Sequence, residues 1–287
     1  MTMAQPQALP RLIAFAPSHF CERARWALDQ AGVVYREERW APGPHRILAK
    51  RLGLSSRTTP ILDLGNGQVI QGSDHILNWT GLPGGDPDLE QRFEKRIGPL
   101  VRQFYYAAVL GNPRSGVREI LFNGVSAVQA LAGRLLWLRT RRVMMLRMNA
   151  RADLLPVLTE RVEAELAWFE SMLNERGKHL VGHTFGRADL TAASLWAPVG
   201  PPPTHPVALL YSRVVLPPAV QASISGWRDR PGFAWVRAIY AHHRRSCEAT
   251  LQDSVVPSRQ PRSYPATTLK AARRAFTSAE IKRERGK

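Results

Sequence analysis

An α/β unit followed by an all-α unit is the architecture this sequence predicts, and three observations carry that prediction. The hydrophobic period changes several times over residues 11 to 80, as it does where short strands and helices alternate. From Asp86 onward only helical spacing recurs, and the glycine-rich run Gly81 to Gly85 separates the two regimes. A chain of 287 residues, 44% hydrophobic and 22% charged, is long enough for one large domain or two small ones.

The first unit is legible element by element. Leu12 to Phe15 is a short apolar run ended by Pro17, a buried strand. Ser18 is a good N-cap, Phe20, Ala24, Ala27, Leu28 and Ala31 recur on one helical face, and Gly32 lies where a C-cap glycine belongs. Val33 to Glu38 reads as a second strand, and the right-handed crossover between the two makes them parallel. A short helical stretch follows around Ile47 to Leu52. Two apolar runs joined by Gly65-Asn66-Gly67 then form a hairpin, and a helix starts at Ser73 with Asp74 in its first turn, where negative charge suits the helix dipole. Past Asp86-Pro87, an N-cap followed by proline at the first helical position, helices are predicted over 87–110, 117–148 with a break near Gly133, 153–176, 187–198, 217–229 and 232–246. The predicted division is thus 10–81, 86–247 and a tail, 252–287. The tail has nine Lys and Arg against three acids and too few large apolar side chains to offset the entropy of ordering.

Composition narrows the class. Two cysteines, Cys21 and Cys247, cannot build a disulfide framework, no secretory leader pattern opens the chain, and no apolar run reaches 18 residues, so a cytoplasmic protein is expected. The net charge of +17 is not accompanied by any RNA- or DNA-reading motif, so no specific nucleic-acid partner is expected. Between Arg134 and Arg151 six arginines and no acid are interleaved with large apolar residues. That stretch either packs its apolar side in the domain with solvated arginines, or lies on an anionic surface or an acidic partner.

The run Ala16-Pro17-Ser18-His19-Phe20-Cys21-Glu22-Arg23-Ala24-Arg25-Trp26 at the first strand–helix junction, Thr59-Pro60 before the third strand, and Gly72-Ser73-Asp74-His75-Ile76-Leu77 at the last helix of the first unit resemble the cytosolic glutathione transferases. Phe185 to Ala193 and Arg230 to Val236 resemble helix starts of that family's second domain. The resemblance, over roughly 11 to 245, implies a thioredoxin-like N-terminal domain and a helical-bundle C-terminal domain. It also implies glutathione as cosubstrate, a small electrophile as second substrate, and a homodimer.

The resemblance places Ser18 as the hydroxyl that stabilises the glutathione thiolate at a helix N-terminus; its other reading is a plain N-cap, and the two roles compete for one hydroxyl. Thr59 would offer backbone N–H and C=O to the cysteinyl part of glutathione ahead of a cis Pro60. Ser73 matches the serine that holds the γ-glutamyl carboxylate, with Asp74 beside it. The preceding position, commonly an acid or glutamine, is Gly72, so a weakened glutathione site is one expectation. His19 is expected exposed at the mouth of the site. Cys21 is expected to be the buried member of a Ser-x-x-Cys pair; as a nucleophile it would instead support a glutathione-dependent thiol reductase. Phe104, Tyr105 and Tyr106 are positioned either for the electrophile pocket or for the core. Asp189 resembles a capping-box acid, with Gly186 in place of the usual N-cap serine or threonine. The alternative to an enzyme is a transferase-like scaffold that has lost glutathione chemistry and binds an acidic partner or anionic membrane through its basic helix and tail.

Overall fold

In the computed structural model, residues 9–112 and 114–244 are described; the tail 252–287 lies outside them. Strands β1 (Arg11–Ala14), β2 (Arg36–Arg39), β3 (Ile61–Asp63) and β4 (Val69–Gln71) form one sheet in the order β2-β1-β3-β4. β1 and β2 are parallel, and the pairs β1/β3 and β3/β4 are antiparallel. The second strand starts three residues later than the sequence predicts. Val33 donates its N–H to the Leu28 carbonyl, sealing the end of helix α1 (His19–Gln30), so the chain joins the sheet only at Arg36.

Strand alternation sends Leu12 and Ala14 to one face and Ile13 to the other. The first face packs on α1 and on α3 (Ser73–Thr80) through Ala24, Leu28 and Ile76. The second takes Ala49 and Leu48 of α2 (His45–Arg51). α1 is covered on its other side too, where Trp26 stacks with Phe185 and meets Tyr240 of the helical domain. A helix buried on both sides must pair its charges. Arg25 accordingly binds Glu37 at 2.8 Å, Arg244 reaches Glu22 at 2.8 Å, and Arg23 pairs with Glu94.

The second domain is helical throughout the described residues. The predicted 87–110 helix is α4 (Pro87–Arg92), a π-helical turn over Phe93–Ile97 and α5 (Gly98–Leu110). Pro99 lacks the N–H that would continue the α-helical ladder, which accounts for the widened turn before it. The predicted 117–148 helix is three pieces: α6 (Val117–Leu121), α7 (Ala127–Leu135) and α8 (Trp137–Met148). The breaks fall at Gly124, with φ of +73°, and at Leu136, not near Gly133. Gly133 is a packing residue inside α7: a Cβ there would stand 2.0 Å from the Phe122 ring. α9 (Leu155–Arg176), α10 (Arg187–Trp196), α12 (Pro218–Arg228) and α13 (Pro231–His243) follow the predicted spans closely, and α11 (Ala208–Tyr211) is an unpredicted short turn.

The linker is fixed by backbone contacts. Arg187 and Ala188 at the start of α10 donate to the carbonyls of Pro83 and Gly84 at 2.9 and 3.2 Å, an approach possible because Gly84 and Gly186 face each other without side chains. Asp189 accepts from the amides of Gly186 and Leu180 at 2.9 and 2.8 Å, so its role is structural, as the sequence predicts.

Candidate active site

A cavity of about 520 Å³ opens between the two domains. Its first-domain wall is the junction between β1 and α1, the start of α2 and the loop before β3; α5, α6 and α8 supply most of the opposite wall. Ser18 and Thr59 both line it.

Ser18 is the N-cap of α1, and its Oγ accepts from the Cys21 amide at 3.3 Å. A hydroxyl has one donor proton and two acceptor lone pairs, so capping consumes acceptor capacity and leaves the proton free. The expected competition between capping and thiolate stabilisation therefore does not arise. The proton sits at a helix start, where unpaired amides and the dipole favour an anion. From α11, Tyr211 donates to the Pro17 carbonyl at 2.7 Å, pinning this junction from the helical domain.

The Thr59–Pro60 peptide bond is cis, as the sequence reading expects. Thr59 precedes β3, and among the described residues its backbone N–H and C=O have no partner. Pro60 itself is buried, and its carbonyl accepts from the Gly72 amide at 3.0 Å.

Ser73 and Asp74 are not part of the cavity wall. The Ser73 hydroxyl is buried and accepts from Arg23 Nη2 at 2.7 Å, again leaving its own proton to donate. Asp74 is half-buried and stands 3.7 Å from the exposed His75. The glycine before them has a backbone cause: Gly72 has φ of +99°, and a Cβ would come within 2.7 Å of Asp74 Oδ1.

One expectation is corrected, and another is met, at Cys21, which is buried as expected. His19 is buried and not exposed at a mouth: its Nε2 lies 3.0 Å from the Gly98 carbonyl, and burial together with the nearby Arg102 brings its pKa down to about 3. It stays neutral near pH 7 and is engaged in holding α1 to α5. Cys21 is fully buried, its sulfur accepts from the Phe15 amide at 3.4 Å, and burial pushes its thiol up. A thiol reductase reading therefore has no exposed thiolate to use at Cys21.

Of the aromatic candidates, Tyr105 and Tyr106 reach the cavity and Phe104 is core. Burial raises the Tyr106 phenol to about 12, so it is a neutral donor. Sequence reasoning missed the arginines. Arg46, Arg57, Arg102, Arg139 and Arg147 all line the cavity, from four separate segments whose convergence no spacing rule reveals.

Residues 12–80 match the family model described as glutathione S-transferase, N-terminal domain. No curated protein matches the chain in sequence. Among solved structures, glutathione transferase GSTFuA2 from Phanerochaete chrysosporium is 15% identical, with 83% of this chain and 99% of that one covered at a TM-score of 0.54. GSTFuA3 from the same fungus is 15% identical, covering 89% and 100% at 0.50. A glutathione S-transferase of Ceriporiopsis subvermispora in complex with glutathione is 14% identical, covering 88% and 100% at 0.50. The chain therefore carries a glutathione S-transferase N-terminal domain over residues 12–80 and has the glutathione transferase fold, thioredoxin-like first and helical second.

Proposed function

We propose that the protein binds glutathione and activates its thiol for attack on a small electrophile. The carrying observation is that Ser18, whose cap role leaves its hydroxyl proton untaken, and Thr59, whose backbone is unpaired before cis Pro60, line one cavity. Thr59 would hold the cysteinyl part as an added strand does. Ser18 would donate to the sulfur, and Arg102, whose guanidinium lies 5.6 Å from the Phe20 ring centroid, adds positive charge beside the α1 start. The Ser18 donor and the Arg102 charge both favour thiolate over thiol, which lowers the thiol pKa. Attack forms a sulfur–carbon bond as the leaving group departs with its electron pair. Ser73, with Arg23 behind it, would receive the glutamyl carboxylate, and Asp74, next in sequence, is the acid proposed for the ammonium group, Glu94 being paired with Arg23. A homodimer accompanies this reading at the level of the family.

Calorimetric titration of the reduced protein with glutathione tests the proposal. Saturable binding weakened about tenfold by Ser73→Ala is the expected result, a lost charge-assisted hydrogen bond being worth roughly 1.5 kcal/mol. No heat at millimolar glutathione, with no binding by an orthogonal assay, would refute it.

One observation favours a second, surface reading. Leu135, Leu138 and Leu146 are about three-quarters exposed at 77%, 74% and 74%, beside Arg134, Arg139 and Arg142. The stretch is divided between its two readings: Trp137 and Met144 of α8 are buried with Met145 and Met148 packed beside them, while these leucines stay in solvent. An anionic bilayer suits such a face: aliphatic side chains enter the interface while arginines meet headgroups. A second copy suits it poorly, since no acid stands between Glu119 and Asp153 to pair the facing arginines. Cosedimentation with phosphatidylglycerol vesicles but not phosphatidylcholine vesicles, weakened by Leu135→Ser with Leu138→Ser, is expected. Absence of cosedimentation at low salt would end this reading.

A further inference from the structure

The cavity has more positive charge than glutathione can use. Five guanidiniums line it and no carboxylate does, and among the described residues none of the five forms an ion pair. Buried nitrogen atoms add to the imbalance: Nε of Arg57 and Nε of Arg102 have no hydrogen-bond partner among the described residues. Such groups call for an acceptor. Three of the arginines gather from different segments, Arg46 from α2, Arg57 from the loop before β3 and Arg147 from α8. Besides some burial, the charges of Arg147 and Arg57 lower the pKa of Arg46, as like charges brought together do. Beside the hydroxyls of Tyr105, Tyr106, Thr140 and Tyr211, the rest of the helical wall is largely apolar, with Val117, Leu121, Val143, Met144 and Met148. Glutathione has two carboxylates and one ammonium group, so it cannot neutralise five cations.

We propose that the second substrate taken by this cavity is an amphipathic anion, an apolar electrophile bearing a carboxylate or sulfonate that pairs with Arg147 and its neighbour Arg46. The apolar body would lie on the α6 and α8 side chains and the anionic group at the arginine cluster, leaving Ser18 to the thiol. As a statement about a substrate it rests on the glutathione reading above; as a statement about ligand class it can be tested without turnover.

The test uses naphthalene-2-sulfonate and its neutral analogue naphthalene-2-sulfonamide, titrated into the full chain by calorimetry, with glutathione titrated in parallel. The sulfonate is expected to bind about tenfold tighter, the scale of one charge-assisted contact. Arg147→Gln, an exposed position whose loss leaves the core intact, is expected to remove most of that preference without changing sulfonamide affinity. Arg134→Gln, on the same hairpin but outside the cavity wall, is expected to leave the preference intact. Equal affinity for the two probes would overturn the proposal, as would equal loss in both variants, which would mark a diffuse surface attraction. If Arg147→Gln weakens glutathione and spares the sulfonate, the arginines serve the tripeptide and the proposal falls. If glutathione fails to bind while the sulfonate preference persists and depends on Arg147, the ligand class stands and the glutathione reading alone is lost.

Discussion

At Ser18 one hydroxyl meets two demands through different atoms. Its oxygen takes the Cys21 amide and its proton stays available to the cavity. Ser18→Ala is therefore expected to cost about 1 kcal/mol of stability as a lost N-cap. A separate fall in kcat, on the order of tenfold to a hundredfold, is expected from the lost donor to sulfur. Urea unfolding and steady-state kinetics on the same preparation separate the two effects. A stability loss with unchanged kcat would reduce Ser18 to a cap. The sequence was informative here because capping and anion binding both follow from a serine before a helix. It misled at His19 because a residue one step into a helix takes its exposure from what packs on that helix, here the α5 turn around Gly98.

At the scale of elements, the helical hairpin α7–α8 differs most from its sequence pattern. Period alone joins residues 117 to 148, whereas packing of Phe122 under Gly133 and of Arg141 against the carbonyls of Leu110 and Gly111 bends the segment back on α5. Gly133→Ala would force a methyl group against the Phe122 ring, and overpacking of this kind costs about 1–3 kcal/mol. The hairpin should loosen while β1 to β4 stay intact, which hydrogen exchange resolves; unaltered protection in α7 would contradict the packing role. Asp189 is the contrasting case, since its spacing to the helix start made its role legible. Asp189→Ala leaves the amides of Gly186 and Leu180 unpaired in a buried site, and a loss of roughly 2–4 kcal/mol in chemical unfolding is expected.

For the whole molecule, two buried histidines couple stability to pH. Burial holds His19 and His205 near a pKa of about 3, in His19 aided by Arg102 and in His205 by Arg25. The unfolded chain protonates them near 6.5, so between those values it binds more protons than the folded one and stability falls as the pH is lowered. Between pH 7.5 and pH 5 the loss is on the order of 2 kcal/mol per histidine. Thermal unfolding across that range should show it, with a shallower slope in His205→Asn; a flat profile would mean that both rings find acceptors when charged. The sequence shows eight histidines but not which of them the fold encloses.

The sequence by itself determined the order of strands and helices in the first domain, the turn at Thr59–Pro60, the cap at Ser18 and the helical character of the described residues after Asp86. These depend on spacing along the chain and on the local chemistry of proline, glycine and serine. Tertiary structure alone decided which side of the 134–151 stretch faces outward, which charges of α1 are buried in pairs, why glycine precedes Ser73, and which arginines meet around the cavity. Those depend on contacts between residues up to 222 positions apart, and a one-dimensional period has no information about what lies opposite a given face.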